Sequence, residues 1–145
     1  MLSKNISDSL QKRINDKLLL VLYFDSFSCD ACISKAISDL INYKEKIGVQ
    51  NVLVIVSEDE QRRAMLLMNQ VRDHFNTLWV KRNDLMFEGI SDDNLPVHLF
   101  LLDRTMIPFC IYFYMPEFPL INKAYFNIVA NKITTICTNS LTDFE

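Results

Sequence analysis

Glycine is scarce, with two in 145 residues. So little of the residue that tolerates left-handed backbone argues against tight glycine turns, leaving Asn, Asp and four prolines to turn the chain between long helices. A dominant charge is also missing. Fifteen basic residues stand against 18 acidic ones, interspersed, for a net charge of −3. That balance provides no phosphate-binding field, so nucleic acid is not expected as a partner. Long hydrophobic runs are absent as well: the apolar stretch over 18–24 falls far short of the roughly 20 residues that a membrane helix needs. Residues 1–15 lack the basic start and apolar core of a signal peptide. As it stands the chain reads as cytosolic, or as exported if a leader has been removed. Four cysteines, only two of them close in sequence, do not make the framework of a small disulfide-stapled secreted domain.

What is present is enough apolar residue, half of the total, to bury the core of one domain. The expected organisation is a single domain over 1–145, with a short N-terminal extension over 1–16 and a polar tail over 138–145. Residues 6–14 read as a short fraying helix, and 17–25, rich in Leu, Val, Tyr and Phe, as a buried central strand. Ile33, Ala36, Ile37, Leu40, Ile41 and Ile47 recur at helical spacing, so one helix is expected from Asp30 to a stop at Gly48. A buried strand over 51–56 follows. The Ser57-Glu58-Asp59-Glu60 pattern then predicts a capping box opening a second amphipathic helix through Ala64, Leu67, Met68, Val71 and Phe75. Strand and helix alternate, which argues for parallel strands joined by right-handed crossovers.

The second half differs. A short strand over 77–81 leads into a polar connection containing Gly89, after which Pro96 opens a strand over 97–102. Asp103-Arg104 reads as a tight turn to an antiparallel strand over 106–114, which Pro108 confines to a sheet edge. Met106, Pro108, Cys110, Tyr112 and Tyr114 are expected on one face of it, and Cys110 as a small buried hydrophobe. Ile111-Tyr112-Phe113-Tyr114 and Phe118 are expected as core beneath a helix, an exposed partner surface being the other reading. The last helix spans 118–137, with Ile121, Tyr125, Ile128, Val129, Ile133 and Ile136 as its apolar face. Lys44-Glu45-Lys46 and Glu58-Asp59-Glu60 read as solvated helix ends.

The chemistry concentrates in Phe27-Ser28-Cys29-Asp30-Ala31-Cys32, where a buried strand delivers a C-x-x-C pair to a helix start. Unpaired N–H groups and the positive dipole end at such a start favour thiolate over thiol, which suits disulfide exchange. The same spacing also serves zinc, but the remaining candidate ligands, Cys110, Cys137, His74 and His98, are scattered without paired spacing, and no metal is expected. His98, inside an apolar strand, reads as a hydrogen-bonded structural histidine, His74 as solvated, and Cys137 as packing.

In this order the features resemble the thioredoxin superfamily, most closely its TlpA-like and peroxiredoxin-related branch, over about residues 18–136. The strand over 18–24 leads to Cys29-Asp30-Ala31-Cys32, a β-α unit follows, Leu95-Pro96-Val97 falls where the family places its cis-proline, and a hairpin with a terminal helix completes the chain. The resemblance implies an α/β thioredoxin-like fold, with a mixed sheet of four or five strands flanked by helices. It implies a protein thiol-disulfide oxidoreductase that needs no cofactor beyond its cysteine pair, with protein thiols and disulfides and an electron donor as partners. Cys29 would be the exposed nucleophile, Cys32 the thiol that resolves the mixed disulfide, Pro96 the cis residue facing them, and Leu95 the backbone offered to an extended substrate.

Four positions depart from the family pattern. Ser28 replaces the usual tryptophan, Asp30-Ala31 replaces Gly-Pro, and Tyr23 stands where thioredoxin carries its buried acid; Asp25 is the candidate to move the proton instead. Asp30 beside Cys29 opposes thiolate formation, so a reductant-like pair is expected rather than a strong oxidant. A non-catalytic binding or adaptor module is the alternative. A thiol peroxidase is a weaker one: Ser26-Phe27-Ser28-Cys29 matches part of the peroxiredoxin pattern, but Leu22 replaces its proline.

Overall fold

The computed structural model describes residues 4–14, 17–25, 28–81 and 97–142. Five strands form one mixed sheet: β1 (Leu19–Asp25), β2 (Val52–Ser57), β3 (Asn76–Val80), β4 (His98–Leu102) and β5 (Phe109–Phe113), in the order β3-β2-β1-β4-β5. β1 pairs parallel with β2, and β2 parallel with β3, while β4 runs antiparallel to both β1 and β5. Every residue of β1 and β2 is buried. Their uninterrupted apolar runs are therefore those of strands covered on both faces.

Side-chain alternation divides the core in two. Leu20, Leu22, Phe24, Val54 and Val56 face α2 (Asp30–Asn42) and α5 (Pro119–Thr142), packing with Ile33, Ala36, Leu40, Phe126, Val129 and Ile133. Leu19, Val21, Tyr23, Leu53 and Ile55 face α1 (Lys4–Ile14) through Leu10 and Ile14. The segment expected as a fraying extension thus seals one face of the sheet, with Leu10 fully buried.

The helix expected to run to Gly48 breaks at Tyr43, whose φ of −99° and ψ of 2° leave helical geometry. A short α3 (Lys44–Ile47) follows, turned so that the Tyr43 ring stacks on Phe126 of α5 at 5.1 Å and Ile47 is buried. Gly48 ends it at φ 90°, where an added Cβ would stand 2.9 Å from Asn51 Nδ2. A 3-10 turn (Val49–Asn51) then leads into β2.

The expected capping box does not form. Ser57 closes β2, and its Oγ is buried without a hydrogen-bond partner among the described residues. Glu60 is the N-cap of α4 (Gln61–Met68) without a side-chain bond, while Glu58 accepts from the Glu60 N–H through Oε1 at 3.2 Å. Glu58 is buried rather than solvated, and its carbonyl accepts from Trp79 Nε1 at 2.6 Å. α4 ends at Met68, yet Val71 and Phe75 beyond it are buried as expected.

β5 is an edge strand, as Pro108 implies, but its connection from β4 is longer than a two-residue turn and is held by Asp103 Oδ1, which accepts from the Thr105 N–H at 2.9 Å. The register shifts between the Leu99–Tyr112 and Leu101–Phe109 pairs, and Cys110 takes φ 52° there. Such a bulge adds a residue and reverses which face the chain presents. Hence Met106 packs on the α1 side while Tyr112 and Tyr114 pack on the other, instead of sharing one face. Cys110 is half-buried against the α5 side.

On α5 the buried stripe is Asn122, Phe126, Val129, Ala130 and Ile133; Ile121 and Ile128 are 51% and 54% exposed. Tyr125 orients the helix, stacking on Tyr112 at 4.7 Å and donating to the Cys110 carbonyl at 2.9 Å. Of the residues expected as core there, Ile111, Phe113 and Phe118 are exposed, the α5 stripe being rotated away from them, while Tyr114 is buried. The helix also runs beyond Cys137 into the segment expected as a polar tail. No helix of the described residues is long and apolar enough to cross a membrane.

Candidate dithiol site

β1 ends at Asp25, and the chain turns before α2 begins at Asp30. Three hydrogen bonds close that turn. Ser28 N–H donates to the Asp25 carbonyl at 3.1 Å, Asp25 N–H to Ser28 Oγ at 3.1 Å, and Ser28 Oγ to Asp25 Oδ1 at 3.3 Å. Both side chains are buried, so this bracket fixes where the following residue emerges. That residue is Cys29, the N-cap of α2 in extended backbone, with φ −60° and ψ 128°.

An N-cap side chain accepts from the otherwise unpaired N–H groups of the first turn. Here Cys29 Sγ accepts from the Cys32 N–H at 3.3 Å. Cys29 is exposed, Cys32 half-buried against the α2–α5 side of the core, and both are free thiols.

Their acidities diverge. The Cys32 side chain, hydrogen-bonded to Cys29, holds the Cys29 thiol below its ordinary value, helped by the Cys32 and Ala31 N–H groups; slight desolvation and the Asp30 charge oppose this. Cys32 is pushed up to about 11, first by that same side-chain bond, then by burial, by the Cys29 charge and by the Glu117 carboxylate. The exposed sulfur is therefore the more available thiolate. The half-buried one keeps its proton until something takes it.

Beneath Cys32, the end of β5 is fastened to α2. Tyr114 donates through its hydroxyl to Asp39 Oδ2 at 2.5 Å, and Lys35 Nζ lies 3.1 Å from Asp39 Oδ1. Tyr114 N–H also donates to the Val97 carbonyl at 2.9 Å, tying the same strand end to the residue after Pro96. Leu95 and Pro96 themselves lie outside the described residues, as do Ser26, Phe27 and the connection containing Gly89.

No protein-family model matches the chain, and no curated protein matches it in sequence. Solved structures do. The thioredoxin domain of a thiol-disulfide oxidoreductase from Bacteroides vulgatus is similar with a TM-score of 0.56 at 10% identity, over 84% of this chain and 83% of that one. A thiol:disulfide interchange protein from a Bacteroides species is similar with a TM-score of 0.52 at 12% identity, over 86% of this chain and 78% of that one.

This chain has a thioredoxin-like fold. In that fold the C-x-x-C pair stands at the start of α2, as the sequence implies. Asp25 follows the strand alternation that points Leu19, Val21 and Tyr23 toward α1, and its register partner is Ser57. His98 is buried on that side too, its ring 4.7 Å from Tyr23 and 5.8 Å from Phe113. His74 is half-buried beside Phe75, and Cys137 lies on α5 with its side chain outside the described residues. Among the described residues no cluster of three or more His, Cys, Asp or Glu is arranged to hold a metal ion.

Sequence reasoning misses Ser28 as half of the bracket, and it misses Tyr114, Asp39 and Glu117 around Cys32. Ser28 carries a local signal, a hydroxyl three residues after a strand-ending Asp. Tyr114 and Asp39 lie 75 residues apart and carry none.

Proposed function

We propose that this protein is a thiol-disulfide oxidoreductase acting on protein thiols and disulfides through Cys29 and Cys32. The observation that carries the reading is the split acidity of an exposed and a half-buried thiol at one helix start. The Cys29 thiolate attacks a partner disulfide, forming a mixed disulfide and releasing one partner thiolate. Cys32 then attacks Cys29 Sγ, closing the Cys29–Cys32 disulfide and releasing the second partner sulfur; two electrons pass from the dithiol to the partner.

Leu95 and Pro96 complete the site in this reading, presenting backbone to an extended partner chain. Val97, the next residue, is held on the Tyr114 strand end beside α2, which supports that placement. Asp25, buried and bonded to Ser28, is the candidate proton-transfer group in this reading. An electron donor reduces the disulfide between turnovers. The whole of 1–145 acts as one domain.

Insulin reduction, or exchange with glutathione, tests the reading on wild type and Cys29→Ser. Wild type should turn over and the variant should lose at least about a thousandfold, since no thiolate nucleophile remains. Equal, negligible turnover in both would leave a binding module that keeps the fold without the chemistry.

A further inference from the structure

The helix break at Tyr43 leaves a cavity of about 590 Å³ between α2, α3 and the first two turns of α5. With α3 turned, the Tyr43 ring lies against Phe126 at 5.1 Å. Phe126 is fully buried, and Tyr43, half-buried over it, is the aromatic wall that a ligand meets. Lys46, on α3, sets its Nζ 5.9 Å from the centre of the same ring. Lys123, one turn before Phe126 on α5, lines the cavity from the opposite helix.

The rim carries three lysines and two carboxylates, and their pairing is uneven. Lys35 Nζ lies 3.1 Å from Asp39 Oδ1, and Asp39 Oδ2 also accepts from the Tyr114 hydroxyl. That carboxylate is fully engaged. Lys46 and Lys123 form no ion pair among the described residues, and the exposed Glu45 is the one remaining acid on the rim to offset them. The rim is therefore net positive, on a chain whose net charge is −3. Pro119, the first residue of α5, lines it too, so the positive end of that helix dipole adds to the same sign.

We propose that this cavity binds a small organic anion, a carboxylate, sulfonate or phosphate carried on an aromatic or apolar body. Lys46 and Lys123 hold the charge from α3 and α5, and Tyr43 packs against the body. Both ammonium groups are exposed, so each turns to the anion without first leaving a carboxylate. The volume falls within the roughly 300–1,000 Å³ of small-molecule sites. On α2 the lining starts at Lys35, six residues and roughly 9 Å of helix rise beyond Cys29. Binding therefore uses neither cysteine, and the assignment stands apart from the oxidoreductase reading.

Fluorescence titration with anilinonaphthalene sulfonate, an aromatic body bearing one anionic group, tests the site, with phenylnaphthylamine as the same body without the charge. The sulfonate should saturate a site whose amide shifts in nitrogen-correlated NMR centre on residues 42–47 and 119–126. The double variant Lys46→Gln/Lys123→Gln should bind it at least about tenfold more weakly, each single variant losing part, since two charged contacts are removed. Added salt should weaken wild type toward the double variant, and the neutral probe should bind both proteins alike. Both lysines are exposed, so the variants keep the fold, which equal urea midpoints check. Absence of saturable sulfonate binding to wild type overturns the proposal, as do equal affinities in wild type and double variant or equal losses for both probes. Shifts confined to the exposed Ile111, Phe113 and Phe118 would put the probe on bare apolar surface and overturn it too.

Discussion

Replacing Tyr114 with Phe removes one oxygen from the junction between β5 and α2 and leaves the ring in place. The lost interaction is a phenol donating to the Asp39 carboxylate at 2.5 Å, with the tyrosine 3% exposed. A hydrogen bond to a charged acceptor contributes about 1.5–3 kcal/mol. Asp39 keeps Lys35 and some access to water, its side chain being 18% exposed, so the lower end applies, roughly 1.5–2 kcal/mol. For a chain of this size that is a fall of about 5–6 °C in Tm. Urea denaturation should show a lower midpoint with an unchanged slope.

Alkaline pH adds a second arm. Burial first, and the bond to Asp39 next, hold the Tyr114 phenol well above its ordinary value of 10.0. Above pH 10 the unfolded chain ionises this tyrosine while the native chain does not, so the unfolded state binds fewer protons. The stabilisation is whole below the unfolded value and is lost as pH rises, by up to ~1.4 kcal/mol per pH unit. The gap between wild type and Tyr114→Phe should therefore narrow toward pH 11; Tyr112 and Tyr125 titrate in both and cancel. A neutral-pH difference under about 0.5 kcal/mol, or a gap that widens with alkali, would refute the reasoning.

Alkylation by iodoacetamide near neutral pH should label Cys29 before Cys32; equal initial rates would contradict the split acidity. Phe126→Ala should cost about 3–5 kcal/mol in urea denaturation, since the ring is fully buried against Tyr43, while Ile128→Ala should stay within about 0.5 kcal/mol.

The strands and the parallel and antiparallel pairings were legible because β1 and β2 are uniformly apolar runs, and because alternation with helices leaves few topologies. The dithiol was legible for the same reason: its position depends on chain neighbours at the end of one strand. What escaped depends on distant partners. Ile121 and Ile128 fit helical periodicity as well as Asn122 and Ala130 do, and the rotation of α5 is decided by Tyr125 bonding to the Cys110 carbonyl across the bulge. That bulge is itself a change of parity that no apolar pattern announces. The capping box failed because Ser57 is drawn into the ladder opposite Asp25, which removes it from the helix start that its spacing suggests.

The acidities of Cys29 and Cys32 are two readings of one contact. The bond that holds the exposed thiol down is the leading cause that holds the inner one up, so the difference is a property of the pair. Asp30 erodes the lower value from outside, and Glu117 supports the upper one. A serine at position 29 cannot carry the thiolate charge near neutral pH. Cys29→Ser therefore removes the nucleophile and also the partner responsible for the largest part of the Cys32 shift, and the remaining thiol should titrate nearer its ordinary value. While both thiols are free the inner cysteine is the poorer nucleophile because the outer one is the better, and a mixed disulfide at Cys29 lifts that restraint, which is what sequential attack by two thiols requires.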